Sequence, residues 1–157
     1  MQKVLENVFF SKDLVSLELE AKDSEDALRK LASVLESNKL VKSSFSDAIV
    51  AREKVFPTGL SLGTIGVAIP HTDVEHVEKQ SMAIGILKEP VQFVIMGTDD
   101  VSVEVSIMFM LAIKESHAQL EFLQALMELF QKDDCVSDIV NSNSAEEVLS
   151  KFKKYIS

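Results

Sequence analysis

The sequence holds a single cysteine, Cys135, with only three prolines and five glycines in 157 residues. One thiol cannot build an intrachain disulfide framework, nor a multi-cysteine zinc or iron–sulfur site. So little glycine and proline excludes collagen-like repeats, and 46% hydrophobic residues excludes disorder. Long apolar runs are missing as well. The longest, Ile107 to Ile113, has seven residues, against the roughly 18 that a membrane span requires. Met1 to Phe10 lacks the basic stretch and long apolar core of a secretory signal. A cytoplasmic location with no direct membrane insertion is therefore expected. Positive charge is scarce too: 16 Lys and Arg stand against 25 Asp and Glu, a formal net charge of −9. Such a chain repels phosphate backbones, so nucleic acid is not an expected partner.

What is there suffices for a packed core, because a chain of this length buries roughly 70% of its unfolded surface. No stretch reads as a linker, a repeat or a low-complexity segment, which predicts one domain over residues 1–157. The hydrophobic period switches between two and about 3.6 along the chain, the pattern of an α/β domain. Val15, Leu17 and Leu19 alternate with polar residues as a half-buried strand. Asp23 or Ser24 caps a helix with Ala27, Leu28, Leu31, Val34 and Leu35 inward. A second helix after Ser43 or Ser44 turns Phe45, Ala48, Ile49 and Val55 inward, and Pro57-Thr58-Gly59 ends it.

Strands follow at Ile65 to Ile69, Met82 to Leu87 and Val91 to Met96, with Lys88-Glu89-Pro90 read as a turn. The run from Val101 to Ile113 begins by alternating and ends continuously apolar, which fits a strand covered on both faces. Ser116 and Gln119 form a capping box for a helix with Leu120, Leu123, Leu126, Met127 and Phe130 inward. Ser144 and Glu147 start a last helix that buries Val148, Leu149, Phe152 and Ile156. The expected fold is α/β: a mixed sheet of four to five strands with helices on both faces, in three layers.

Candidate chemistry centres on three histidines. His71 comes directly after an apolar strand and Pro70, whose fixed backbone angle ends the ladder and aims the next side chain. Sites in open α/β sheets gather at such strand ends; the plainer alternative is a loop histidine bonded to nearby backbone. His117 sits at a helix start, where unpaired backbone N–H groups suit an anion, or else is a surface residue. His76 is five residues beyond His71, not the four that bring two zinc-binding histidines to one side of a helix. No metal is expected, although a metal-dependent hydrolase using His71, His76 and Asp73 or Glu75 stands as a lesser alternative. Asp133 and Asp134 precede Cys135 and would raise its thiol pKa, the opposite of a nucleophile's need. No nucleophile elbow, dinucleotide fingerprint or phosphate loop occurs.

Taken together, Arg52-Glu53, Pro57-Thr58-Gly59-Leu60 and Gly66-Val67-Ala68-Ile69-Pro70-His71 resemble the enzyme IIA domains of the fructose/mannitol class in the bacterial sugar phosphotransferase system. Phe109-Met110-Leu111-Ala112-Ile113, with His117 and Leu120 to Leu123 after it, is similar to the second signature of that class. Met96-Gly97-Thr98 and the run Val103 to Ile113 resemble the galactitol-type branch most. The resemblance implies a phosphoryl carrier that takes its group from HPr and passes it to the IIB component of a permease with IIC in the membrane. It implies His71 as the phosphorylated nucleophile, His117 as a supporting histidine and Arg52 as the stabiliser of phosphoryl charge, with no cofactor. Thr58 and Ser116 are expected to help bind the phosphoryl group, and Phe56, Leu60, Leu62 and Ile65 to form an apolar docking ring around His71. A nitrogen-type regulatory enzyme IIA is the alternative within the same fold.

Overall fold

A computed structural model describes residue 5, residues 7–132 and residues 134–156. The expectations for Met1 to Val4, Glu6 and Asp133 lie outside the described residues. The strands are β1 (Val15–Leu19), β2 (Gly59–Ser61), β3 (Gly66–Ala68), β4 (Ser81–Val94) and β5 (Ser102–Ala112). The helices are α1 (Ser24–Ser37), α2 (Phe45–Val55), α3 (Ser116–Phe130), α4 (Cys135–Val140) and α5 (Ala145–Ile156). One mixed sheet runs in the order β1-β4-β5-β3-β2. β1 lies parallel to β4, and β3 parallel to β5, while β4/β5 and β2/β3 are antiparallel.

The two-residue period of a strand explains the three layers. On one face Met82, Ile84, Ile86, Ile107, Phe109 and Leu111 join a core with α3, α4 and α5. Their neighbours Ala83, Met108, Met110 and Ala112 point to the other face and join a core with α1 and α2. Phe109 is fully buried, with its ring 5.0 Å from that of Phe130 and 6.4 Å from that of Phe152.

Several local expectations need correction. Lys88-Glu89-Pro90 is not a turn. β4 runs through it, and a register shift between Ile86 and Val91 accommodates the proline, which has no N–H to donate. Val55 is 68% exposed. It lies six residues after buried Ile49, about 240° around the helix. On α3, Leu120 and Met127 are exposed while Phe122, Ala125 and Leu129 are buried. That helix carries apolar residues on two faces, and the bulky Phe122 and Phe130 select the one that packs. Ser116 does not cap α3. Glu115 does, accepting from the His117 and Ala118 amides at 3.0 and 3.2 Å. Ser144 caps α5 as expected, accepting from the Glu147 amide at 3.1 Å. β2 and the short α4 are additions to the expected elements.

Candidate active site

The parallel pairing of β3 with β5 puts the C-terminal ends of both strands at one edge of the sheet. His71 follows β3 by three residues, and His117 follows β5 by five. The chain leaving β3 is tied to β5 by a bond from the Leu111 amide to the Pro70 carbonyl, 2.9 Å.

His71 is half-buried, and its Nδ1 lies 2.7 Å from the Ile69 carbonyl. A carbonyl oxygen only accepts, so Nδ1 carries the proton and Nε2 is left with its lone pair. Burial lowers the pKa of His71, the backbone bond opposes it in part, and the charge of Arg52 lowers it further. The ring is therefore held neutral, in one tautomer, with a nucleophilic nitrogen pointing away from its anchor.

Arg52 comes from the last turn of α2. Its guanidinium lies 4.5 Å from the centre of the Phe56 ring and 3.5 Å from Asp73 Oδ1. Among the described residues its buried Nε has no hydrogen-bond partner. A buried donor without an acceptor is uncommon in folded proteins. The next residue, Glu53, reaches past the end of the helix to Thr58. Its carboxylate accepts from the Thr58 amide at 2.7 Å and from the Thr58 hydroxyl at 2.9 and 3.1 Å. Burial pushes the Glu53 carboxyl up to about 7, against the pull of the two Thr58 bonds.

Other candidates are placed differently from expectation. Thr58 is 2% exposed. Its one hydroxyl proton goes to Glu53, and its oxygen accepts from the Ile69 amide at 3.2 Å, so it has no proton left for a phosphoryl group. The helix start near His117 is already filled by an anion, the carboxylate of Glu115, which takes the amides expected to receive phosphate beside Ser116. His117 is exposed, with Nε2 2.9 Å from Glu121 Oε1. Phe56 is 57% exposed beside Arg52. Leu60 is partly buried against the core.

Leu62 and Ile65 close the β2–β3 hairpin at the end away from His71, and with Phe130 and Cys135 they line a small cavity there. They belong to no ring around His71. The exposed apolar residue one turn beyond His117 is instead Leu120. His76 faces away too: its Nδ1 is 2.8 Å from the Ser44 hydroxyl. Among the described residues no three His, Cys, Asp or Glu side chains converge as a metal site. Burial pushes the Cys135 thiol up to about 11. The direction agrees with expectation, but the main cause is burial and not neighbouring acid.

Known proteins match the chain and its fold. The galactitol-specific EIIA component of Escherichia coli K12 is 26% identical over 134 residues, covering 85% of this chain and 88% of that protein. A IIA domain from Streptococcus pyogenes superposes with a TM-score of 0.76 at 25% identity, covering 99% of this chain and 97% of that one. The mannitol enzyme IIA of Escherichia coli, solved in complex with phosphorylated enzyme IIB, has the same fold: TM-score 0.76 and 20% identity over 94% of this chain and 99% of that one. The family model for the phosphoenolpyruvate-dependent sugar phosphotransferase system, EIIA 2, matches residues 8–155. The chain belongs to that family, and is thereby a phosphotransferase of the class that carries its group as phosphohistidine.

Proposed function

We propose that His71 is the residue that carries the phosphoryl group, at Nε2. The observation that carries this reading is the 2.7 Å bond from Nδ1 to the Ile69 carbonyl, which reserves Nε2 for bond formation. In the forward step the Nε2 lone pair attacks phosphorus on the donor's phosphohistidine. The donor P–N bond breaks, and its electron pair returns to the donor imidazole. The proton stays on His71 Nδ1, donated to the Ile69 carbonyl. Keeping that proton makes the new phosphoramidate a good donor in turn, because the imidazole then leaves as a neutral ring. Negative charge spreads over the equatorial oxygens in transit, and Arg52, whose charge already acts on His71, is the cation that meets it.

The donor is the phosphocarrier HPr, and the acceptor is the IIB component of a sugar or sugar-alcohol permease whose IIC component lies in the membrane. The galactitol-specific relative favours a transport role over the nitrogen-type regulatory one. The mannitol IIA–IIB complex, on the same fold, favours IIB as acceptor. The described residues include no helix long and apolar enough to cross a membrane, which suits a carrier that meets its partners in the cytoplasm. Phe56 and Leu120, both exposed at the His71 edge, are the apolar contacts such partners would cover. The net charge of −9 favours partners with a basic contact patch.

The test uses phosphoenolpyruvate, enzyme I and HPr with intact mass measurement. One acid-labile phosphoryl group is expected on the wild type and none on His71→Ala. Uptake by His71→Ala at the wild-type rate would overturn the assignment.

A further inference from the structure

Glu53 takes no direct part in the step above, yet a continuous set of hydrogen bonds leads from it to the reactive ring. The Glu53 carboxylate accepts the Thr58 hydroxyl proton at 2.9 Å, the Thr58 oxygen accepts the Ile69 amide at 3.2 Å, and the Ile69 carbonyl accepts His71 Nδ1–H at 2.7 Å. The backbone of Ile69 is thus pinned on both sides of its Cα. The geometry points to Glu53 as a positioning residue for His71, acting through Thr58 and the Ile69 backbone to fix the ring's tautomer and direction; this rests on His71 being the phosphoryl carrier.

Three features argue for more than a local cap. First, Thr58 is 2% exposed and its hydroxyl's one proton is committed, donating to Glu53 while the oxygen accepts from Ile69. Its proton can go to the carboxylate only while its lone pairs face the Ile69 amide, so Glu53 sets the orientation of the group that holds Ile69. Second, Ile69 lies beyond the end of β3, where the ladder no longer fixes the chain. In its place the Thr58 hydroxyl holds the Ile69 amide, and the Leu111 amide holds the Pro70 carbonyl at 2.9 Å. Third, Arg52 and Glu53 are adjacent on α2, and adjacent helix residues point about 100° apart. One turn of helix therefore sends a cation toward the phosphoryl side of His71 and a carboxylate toward its anchored side. A burial that pushes Glu53 up to about 7 is costly for an acid placed there only to close a turn.

The connection is positional. The Ile69 amide and carbonyl belong to different peptide groups, so what passes along the chain is the place of the carbonyl, not a resonance effect. A looser Ile69 lets the ring sample the Nε2–H tautomer, in which the nucleophilic nitrogen is blocked.

The test pairs nitrogen NMR of 15N-histidine-labelled protein with the rate of uptake from phosphorylated HPr. In the wild type, His71 is expected as a single Nδ1–H tautomer. Thr58→Val and Glu53→Gln are expected to mix in the Nε2–H tautomer and to slow uptake by about tenfold. The KM for HPr should stay unchanged, as should the His76 and His117 signals. Thr58→Ser should restore both properties. Glu53→Gln decides the matter if Thr58→Val fails to fold. A single Nδ1–H tautomer and a wild-type rate in folded Glu53→Gln would overturn the positioning role. If the wild type itself takes up no phosphoryl group, the carrier reading fails instead, and the tautomer comparison still reports on the hydrogen bonds.

Discussion

His71 and His117 leave neighbouring parallel strands at the same edge of the sheet, and they are held by opposite means. His71 is half-buried and tied to backbone, with its remaining nitrogen unpartnered among the described residues. His117 is exposed, and its Nε2 is tied to a surface carboxylate, Glu121. Burial and a main-chain acceptor specify one tautomer and one direction. A surface pair holds loosely, because such pairs contribute about 0–1 kcal/mol and reorganise easily. The difference teaches which histidine suits which task. A nucleophile profits from being fixed before the donor arrives, whereas a helper that meets partner proteins profits from being free to turn.

The largest expected effect separates the two directly. His71→Ala should abolish phosphoryl uptake, whereas His117→Ala should still accept the group and slow its onward transfer to IIB. Uptake lost in both variants, with both still folded, would erase the distinction. Next comes Arg52, whose charge acts on His71. Arg52→Met should slow uptake by about 10²–10³-fold, the usual cost of one lost charge-stabilising donor. It should also raise the His71 pKa, because the Arg52 charge lowers it. An NMR titration alongside the rate measurement checks both effects. Arg52→Lys should recover little, since lysine has no counterpart of the buried Nε.

A third expectation concerns stability against pH on the His71 side. Glu53 rises from 4.5 to about 7 on folding, so the folded state holds the extra proton between those values. Its contribution is complete below 4.5 and is lost as pH climbs through about 7. His71 has the opposite sign: its folded pKa lies below 6.5, so stability falls as pH drops beneath 6.5 and the unfolded ring takes a proton. Urea titrations at pH 5 and pH 8 should find the wild type losing up to about 3 kcal/mol relative to Glu53→Gln on going to the higher pH. A constant difference between the two proteins would remove the buried acid from the account. The smallest effects belong to the His117 side. Glu115→Ala removes the cap of α3 and should cost about 1 kcal/mol by urea denaturation. Glu121→Gln should shift stability by less than that and leave phosphoryl uptake unchanged.

The parts of this molecule set by short periods were legible in the sequence. Strict alternation located β1 and β5, and serine with glutamate three residues on located the start of α5. The sequence Ile69-Pro70-His71 identified a strand end with an aimed side chain, because proline acts on its immediate neighbours. What could not be read depends on chain direction and on contacts across a turn. Leu62 and Ile65 are near His71 in sequence, but the β2–β3 hairpin carries them to the far end. Glu115 and Ser116 are both able to cap, and only the geometry of the β5–α3 connection decides between them. Glu53 lies in the Arg52-Glu53 motif, yet its bond to Thr58 crosses the end of α2 and has no periodic signature. An Arg-Glu pair in a last helical turn, followed within five residues by Pro-Thr, is the local sequence signal of that bond.

The most direct test of the central claim is the atom that bears the phosphoryl group. With 15N-histidine-labelled protein phosphorylated through HPr, the phosphorus–nitrogen coupling should appear at Nε2 of His71, with Nδ1 hydrogen-bonded to Ile69. Coupling at Nδ1 of His71, or at either nitrogen of His117, would contradict it.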